Sequence, residues 1–345
     1  MQQFVALIGR VTVCICFAFA LASCATTGTS SDSMPASAAD STKSNNTPAT
    51  PPPTASLDVS TRALGLVFRD LTEQTNSGLV LMNGLENIPI ERLNVKNDPL
   101  PVVLAELSKL TGLVTHETPY YTFMFDPTYE SLVTLNIKRQ IPEIYDDVRV
   151  FAAFGADTPL FSVFAMLSRL TGKTLIADNA IGDALCGELN LHDVPLPQAI
   201  EAALQSARIP QHNFRIRATD GYIFLHSSAH QLRRNVASSK IPPESRKLLD
   251  EQCSISLLVY TEADNKIRSQ LGASKLYKVL SELSLQLGMP VRADPLLDHF
   301  PVNPMVMNNV SRETALELLI HQWLVPEFEF TVVDGAVLIR PVGSG

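Results

Sequence analysis

LGLVFRDL, residues 64–71, places Leu64, Val67, Phe68 and Leu71 at i, i+3, i+4 and i+7, the apolar stripe of a helix that buries one face. LFSVFAML (160–167) repeats it 96 residues on, with Leu160, Val163, Phe164 and Leu167, and LYKVLSEL (276–283) repeats it after a further 116, with Leu276, Val279, Leu280 and Leu283. The register holds outside the helix. Leu79 and Leu81 fall on Leu175 and Ala177, then on Val291 and Ala293; Pro99-Leu100-Pro101 falls on Pro195-Leu196-Pro197, and Leu104 on Ile200 and Leu316. Three copies of one unit account for this, and a repeat of that kind organises the whole chain.

Each copy shows the same order of elements. An extended stretch (Leu57 to Ser60, Val148 to Phe154, Ser254 to Tyr260) precedes the helix, which Gly172 and Gly288 stop in the later copies. A short apolar strand follows, clearest at Thr174 to Ala177. A second strand (Leu93 to Lys96, Glu188 to Leu191, Met305 to Asn308) then leads into a second helix at Pro99, Pro195 and Ser311. Paired strands close the unit. Asp220-Gly221 and Asp334-Gly335 suit tight hairpin turns, because glycine tolerates positive φ. In the first copy the hairpin is predicted at Tyr121 to Phe125 and Leu132 to Ile137, around Asp126-Pro127. The predicted fold class is α+β: three tandem β-α-β-β-α-β-β units, each with two helices on a small mixed sheet.

The N-terminus has another character. One positive charge within Met1 to Arg10, an apolar run from Val11 to Ala20 and small residues before Cys24 make a secretory signal peptide, too short to span a bilayer comfortably. Leu21-Ala22-Ser23-Cys24 resembles the lipobox of bacterial lipoproteins. That resemblance implies cleavage before Cys24, lipidation of its thiol and an anchor in a membrane, and Ala25 leans it toward the outer membrane. Ala25 to Ser56, rich in Ser, Thr, Ala, Asn and Pro, cannot bury enough apolar surface to order itself. It reads as a tether with a span of roughly 30 Å. The expected organisation is therefore signal peptide 1–23, tether 24–56, units 57–139, 148–228 and 253–341, and a linker over 229–252. A signal anchor that is never cut and an ordinary signal peptide that happens to meet a cysteine are the alternatives for the first segment.

The three units resemble the short STN domain at the N-terminus of secretins and of signalling TonB-dependent receptors. "ALGLVFRDLTEQTNSGLVL", "PLFSVFAMLSRLTGKTLIA" and "KLYKVLSELSLQLGMPV" match its first helix and strand. "NDPLPVVLAEL", "HDVPLPQAIEAAL" and "NNVSRETALELL" match its second helix. The resemblance implies a periplasmic module that meets other envelope proteins, among them a secretin or secretion-core subunits. Neither a secretin's β-rich gate nor a receptor's barrel half is recognisable, which points to an accessory component.

Chemistry is sparse. No nucleophile elbow, zincin, P-loop or C-x-x-C motif occurs, so no enzyme, metal or cofactor is expected. The net charge of −8 argues against nucleic acid as a partner. His226 and His230 have a spacing that could hold a metal on a helix, but His226 ends a predicted strand. Asp178 and Asp183 read as flanking a turn, and Trp323 as core. Cys186 and His192 would suit a thiol nucleophile only if brought together; strand spacing separates them by about 20 Å. Cys14 and Cys16 leave with the signal peptide, so Cys186 and Cys253 could pair in an oxidising periplasm or remain separate thiols. Gln231 to Arg246, with Arg233, Arg234, Lys240 and Arg246, reads as a solvated basic linker that could touch an acidic partner or lipid. Two functions compete: an anchored scaffold of a secretion, conjugation or type IV pilus machine, with self-association into a homo-oligomer through open sheet edges, and a binding or signalling adaptor. Attachment to peptidoglycan is a third.

Overall fold

The computed structural model describes residues 52–230, 232, 241–258, 260–262, 269–324 and 328–342. The signal peptide, Cys24 and most of the tether lie outside them, as do Arg233, Arg234 and Lys240.

The first repeat runs β1 (Thr54–Ala63), α1 (Leu64–Thr75), β2 (Leu79–Leu81), β3 (Pro89–Pro99), α2 (Leu100–Thr111), β4 (Val114–Glu117) and β5 (Thr122–Phe125). The second runs β6 (Arg149–Phe154), β7 (Thr158–Pro159), α3 (Leu160–Thr171), β8 (Thr174–Ala177), the one-turn α4 (Asn179–Gly182), β9 (Leu185–Cys186), β10 (Leu189–Pro195), α5 (Leu196–Ser206), β11 (Phe214–Ala218) and β12 (Tyr222–Ser227). After α6 (Pro243–Asp250) the third runs β13 (Gln252–Leu257), β14 (Tyr260–Glu262), β15 (Ser269–Leu271), β16 (Ser274–Lys275), α7 (Leu276–Leu287), β17 (Val291–Ala293), β18 (Pro301–Val302), β19 (Met305–Ser311), α8 (Arg312–Ile320), β20 (Phe328–Val333) and β21 (Ala336–Pro341). The fold class is α+β.

Helices α1, α3 and α7 start at the three positions the periodicity marks, and α2, α5 and α8 at the equivalent second set. Leu64, Val67, Phe68 and Leu71 are all buried, as are Leu160, Val163, Phe164 and Leu167. Burial of each such side chain is worth about 1.5–3 kcal/mol. The first helices end on left-handed residues, Asn76, Gly172 and Gly288, where the chain must turn back to the sheet. Ser311 caps α8 with its hydroxyl, accepting from the Thr314 N–H at 3.1 Å.

Strand pairing repeats three times. The first strand runs antiparallel to the strand entering the second helix: β1 with β3, β6 with β10, β13 with β19. The strand after the first helix runs parallel to the returning hairpin strand: β2 with β5, β8 with β12, β17 with β21. Each first pair carries one register shift. Asn97, Asp193 and Asn309, at one position of the repeat, take positive φ of 54°, 54° and 50° there. Asn and Asp tolerate this region best among residues with a Cβ. Ser56 Oγ accepts the Asn97 N–H at 2.8 Å, and Ser254 Oγ the Asn309 N–H at 3.1 Å.

Three expectations need correcting. The unit does not carry one mixed sheet: a strand pair and a three-stranded sheet form separately, and at the first joint the three-stranded sheet β4-β5-β2 pairs with the strand pair β10-β6 of the next repeat. The first hairpin is β4–β5, one strand earlier than predicted. Asp126-Pro127 starts a 3-10 segment instead, because the Asp126 carboxylate accepts the Thr128 N–H at 2.9 Å. Finally, residues 229–252 include α6, which buries Leu249, and Arg246 pairs with Glu313 at 2.9 Å, so this residue is not part of a solvated basic face.

Pro51–Gly345 is one compact unit. The first two repeats share one apolar core. The third repeat's core includes Ile176, Tyr222 and Phe224 from the second.

Candidate functional site

The polar side chains converge at the joints between repeats. At the first joint β2 pairs with β10, Val80 opposite Leu189 and Leu79 opposite Asn190, which makes a five-stranded sheet β4-β5-β2-β10-β6. Asn83 N–H donates to the Ser206 carbonyl at 2.8 Å, and its Nδ2 to the Cys186 carbonyl at 3.0 Å. The Arg208 guanidinium donates to the Asn83 carbonyl. Arg69 pairs with the largely buried Glu188 at 2.7 Å. Gly187 is required by close approach: a Cβ there would stand 2.2 Å from the Leu81 carbonyl oxygen.

The second joint repeats the first. Asn179 N–H donates to the Gln322 carbonyl at 2.8 Å, and these residues lie 96 and 116 positions after Asn83 and Ser206. β8 lies alongside β19, held by side chains rather than a ladder. Asn308 N–H donates to Thr174 Oγ1 at 2.8 Å, and Asn308 Nδ2 to the carbonyls of Ser168 at 3.1 Å and Lys173 at 3.3 Å. Asn303 Nδ2 reaches Asn179 Oδ1 at 3.1 Å and Asp183 Oδ1 at 3.3 Å. Burial and the nearby Asp178 raise the Asp183 carboxyl, against the hydrogen bond from Asn303.

Asp178 and Asp183 do flank a turn, the single helical turn of α4, which Asp178 caps, and Asp178 also ties that turn to the end of β12. Fully buried, it accepts from Ile181 N–H at 2.9 Å, Ser227 N–H at 2.7 Å and His230 Nδ1 at 3.1 Å. The His226 and His321 rings stand 5.9 and 6.5 Å from the His230 ring. His226 and His230 therefore do meet, but at a strand end rather than on a helix, with Asp178 of the same repeat beneath His230 and His321 facing them from the third repeat. Among the described residues no cluster of three or more His, Cys, Asp or Glu is arranged to hold a metal ion.

A second buried polar set lies under the first joint. Tyr121 O–H donates to Gln205 Oε1 at 2.9 Å, and Glu201 lies beside them. Burial raises the Glu201 carboxyl to about 7, although the Ile137 N–H and the Tyr121 hydroxyl act to lower it.

Cys186 and Cys253 are both free thiols. The disulfide alternative fails because Cys186 sits in the core of the first two repeats and Cys253 lies against that of the third. Burial pushes the Cys186 thiol to about 12, which removes the thiolate a nucleophile needs. His192 is exposed and packs edge-on to Phe151. Trp323 is core, beyond the end of α8, and donates to the Pro301 carbonyl at 2.6 Å. A shallow groove of about 310 Å³, lined by Pro53, Leu100, Tyr120, Tyr121 and His192 among others, opens beside the first joint.

The joint residues Asn83, Asn179, Ser206 and Gln322 went unread in the sequence. Their signal was present, since they fall in the register of the repeat and are polar beside apolar segments.

No family model matches the sequence, and no curated protein matches it. Among solved structures, the chain is similar to one from the basal body of the Salmonella SPI-1 type III secretion injectisome (proteins InvG, PrgH and PrgK). Identity is 11% and the TM-score 0.20; the match covers 79% of this chain but only 46% of that one. A likeness of this extent carries no weight for function.

Proposed function

We propose that the protein is a non-enzymatic, lipid-anchored scaffold of the periplasm, an assembly component of a trans-envelope secretion, conjugation or type IV pilus machine. The observation that carries this reading is the recurrent joint: the convergent polar side chains are spent on holding one repeat to the next, not on lining a reaction cleft. Small α+β modules joined edge to edge present long flanks where, among the described residues, a strand such as β6 has no neighbour on its outer side, and such edges favour protein partners. The lipobox at Leu21–Cys24 supplies the anchor and favours the outer membrane in this reading.

The test is crosslinking in intact envelopes followed by recovery of the mature protein. Subunits of one envelope machine are expected with it, and recovery of the protein alone would overturn the assignment. Cys24→Ser is expected to release it from membranes; unchanged fractionation would remove the anchor. The Pro- and Tyr-lined groove beside the first joint favours, as a second reading, an adaptor that captures an extended segment of a protein partner.

A further inference from the structure

A joint that repeats head to tail has no natural stop. One end of the stack displays the face that the first repeat offers the second, and the other end displays the complementary face. Such heterologous contacts propagate into rings or filaments unless the ends differ from the middle. In this chain they differ at every joint position compared.

On the donor face, Val80 and Ile176 are buried at the joints, but the third repeat has the exposed Arg292 at that place. Asn83 and Asn179 donate their backbone N–H across the joints. Their equivalent is Pro295, which has no N–H to donate. A fourth repeat docked here would bury a guanidinium in an apolar contact and leave its own carbonyl without a donor.

On the acceptor face, Ser206 and Gln322 are 0% and 1% exposed, whereas the first repeat carries Leu110, 51% exposed. Gln205 and His321 are buried at the joints, and their equivalent is the exposed Lys109. Ala202 and Leu318 are buried, and their equivalent is Glu106, which pairs with Lys109 at 2.9 Å. Docking a repeat here would desolvate that pair. Among the described residues, neither β3 nor β17 has a strand on its outer edge.

We infer that the two end faces are caps: the array is closed at three repeats and rejects a fourth, including the end of a second copy of this chain. Partners, and other copies where the machine contains several, meet the flanks of the stack.

The test opens each end separately in the full chain, held one per detergent micelle. One variant carries E106A, K109Q and L110S; the other carries R292I and P295N. Protein mass is followed by light scattering up to about 1 mM, the effective concentration a short linker provides, with circular dichroism confirming the fold. Each variant alone is expected to keep the parent's mass, and mixing the two is expected to double it. Absence of that doubling, with both variants folded, would overturn the inference. A second measurement leaves every cap residue in place: the chain with Cys253→Ser, Asn94→Cys and Leu296→Cys, the last two at exposed positions on the two end faces, is treated with a short thiol crosslinker. No ladder of end-linked chains is expected, and a ladder that lengthens with concentration would also overturn it.

Discussion

The N–H of Asn179 donates to the carbonyl of Gln322 at 2.8 Å, joining the second repeat to the third with the bond that Asn83 and Ser206 make between the first and second. Neither side chain identity nor helix periodicity demands this bond. It is a backbone contact, and it recurs because the two joints share one geometry. The repeats consequently act as parts of one unit, with consequences that can be measured.

The second joint depends on Asn308, whose side-chain amide bridges the carbonyls of Ser168 and Lys173. Asn308→Ala leaves both without that donor. A loss of about 1–2 kcal/mol is expected, read as a lower urea midpoint. Stability equal to the parent's would show that these bonds contribute nothing.

Asp178 uses both carboxylate oxygens as acceptors: Oδ1 from Ile181, Oδ2 from Ser227 and His230. An amide cannot copy this, since one of its ends donates. Asp178→Asn is expected to cost about 2–3 kcal/mol, and His230→Ala less, because the two backbone bonds survive. Thermal melting of both variants decides the order.

Glu201 introduces a pH dependence. Burial raises its folded carboxyl to about 7, above the ordinary 4.5 of a glutamate. The unfolded chain therefore releases this proton first, and the contribution to stability falls as pH rises from about 4.5 to 7, then levels off. Glu201→Gln removes that slope and is expected to stabilise the protein by about 1–2 kcal/mol above pH 7. Unfolding midpoints of parent and variant that run parallel across the window would contradict this.

Phe68 and Phe164 occupy one position of the repeat, and both are 1% exposed. Either Phe→Ala is expected to cost about 3–5 kcal/mol. Because both side chains sit in the core shared by the first two repeats, each variant should lower a single unfolding transition for those repeats. Two separate transitions in calorimetry would show that the repeats unfold independently.

Thiol labelling tests the cysteine chemistry. Cys186, buried and raised to about 12, is expected to stay unmodified by an aromatic disulfide reagent at pH 8 until the chain unfolds, with Cys253, half-buried, reacting slowly. Rapid native labelling of Cys186 would show that the core opens there.

The local elements and their threefold recurrence were legible in the residues, because helix faces have a period that apolar side chains must follow. Leu64, Leu160 and Leu276 start helices in the sequence and in the structure alike. Caps and turns were legible where chemistry is strict, at Gly172, Gly288, Ser311 and Asp334-Gly335. Asp126-Pro127 misled, since Asp before Pro serves a 3-10 start as well as a hairpin turn. The positive-φ residues Asn97, Asp193 and Asn309 were present as a pattern, but Asn and Asp also occupy ordinary strand and loop positions.

By itself, then, the sequence determined the α+β class, the order of elements within each copy and the register that relates the three. Those properties follow from local periodicity and turn chemistry, which act over a few residues. Tertiary structure alone decided that the copies merge into one unit, that β2 is completed by β10, and that Asp178, His226, His230 and His321 meet at a joint. Those relationships join segments far apart in the chain, through a backbone ladder where β2 meets β10 and through side chains at Asp178 and the histidines, and local periodicity acts over too few residues to specify them.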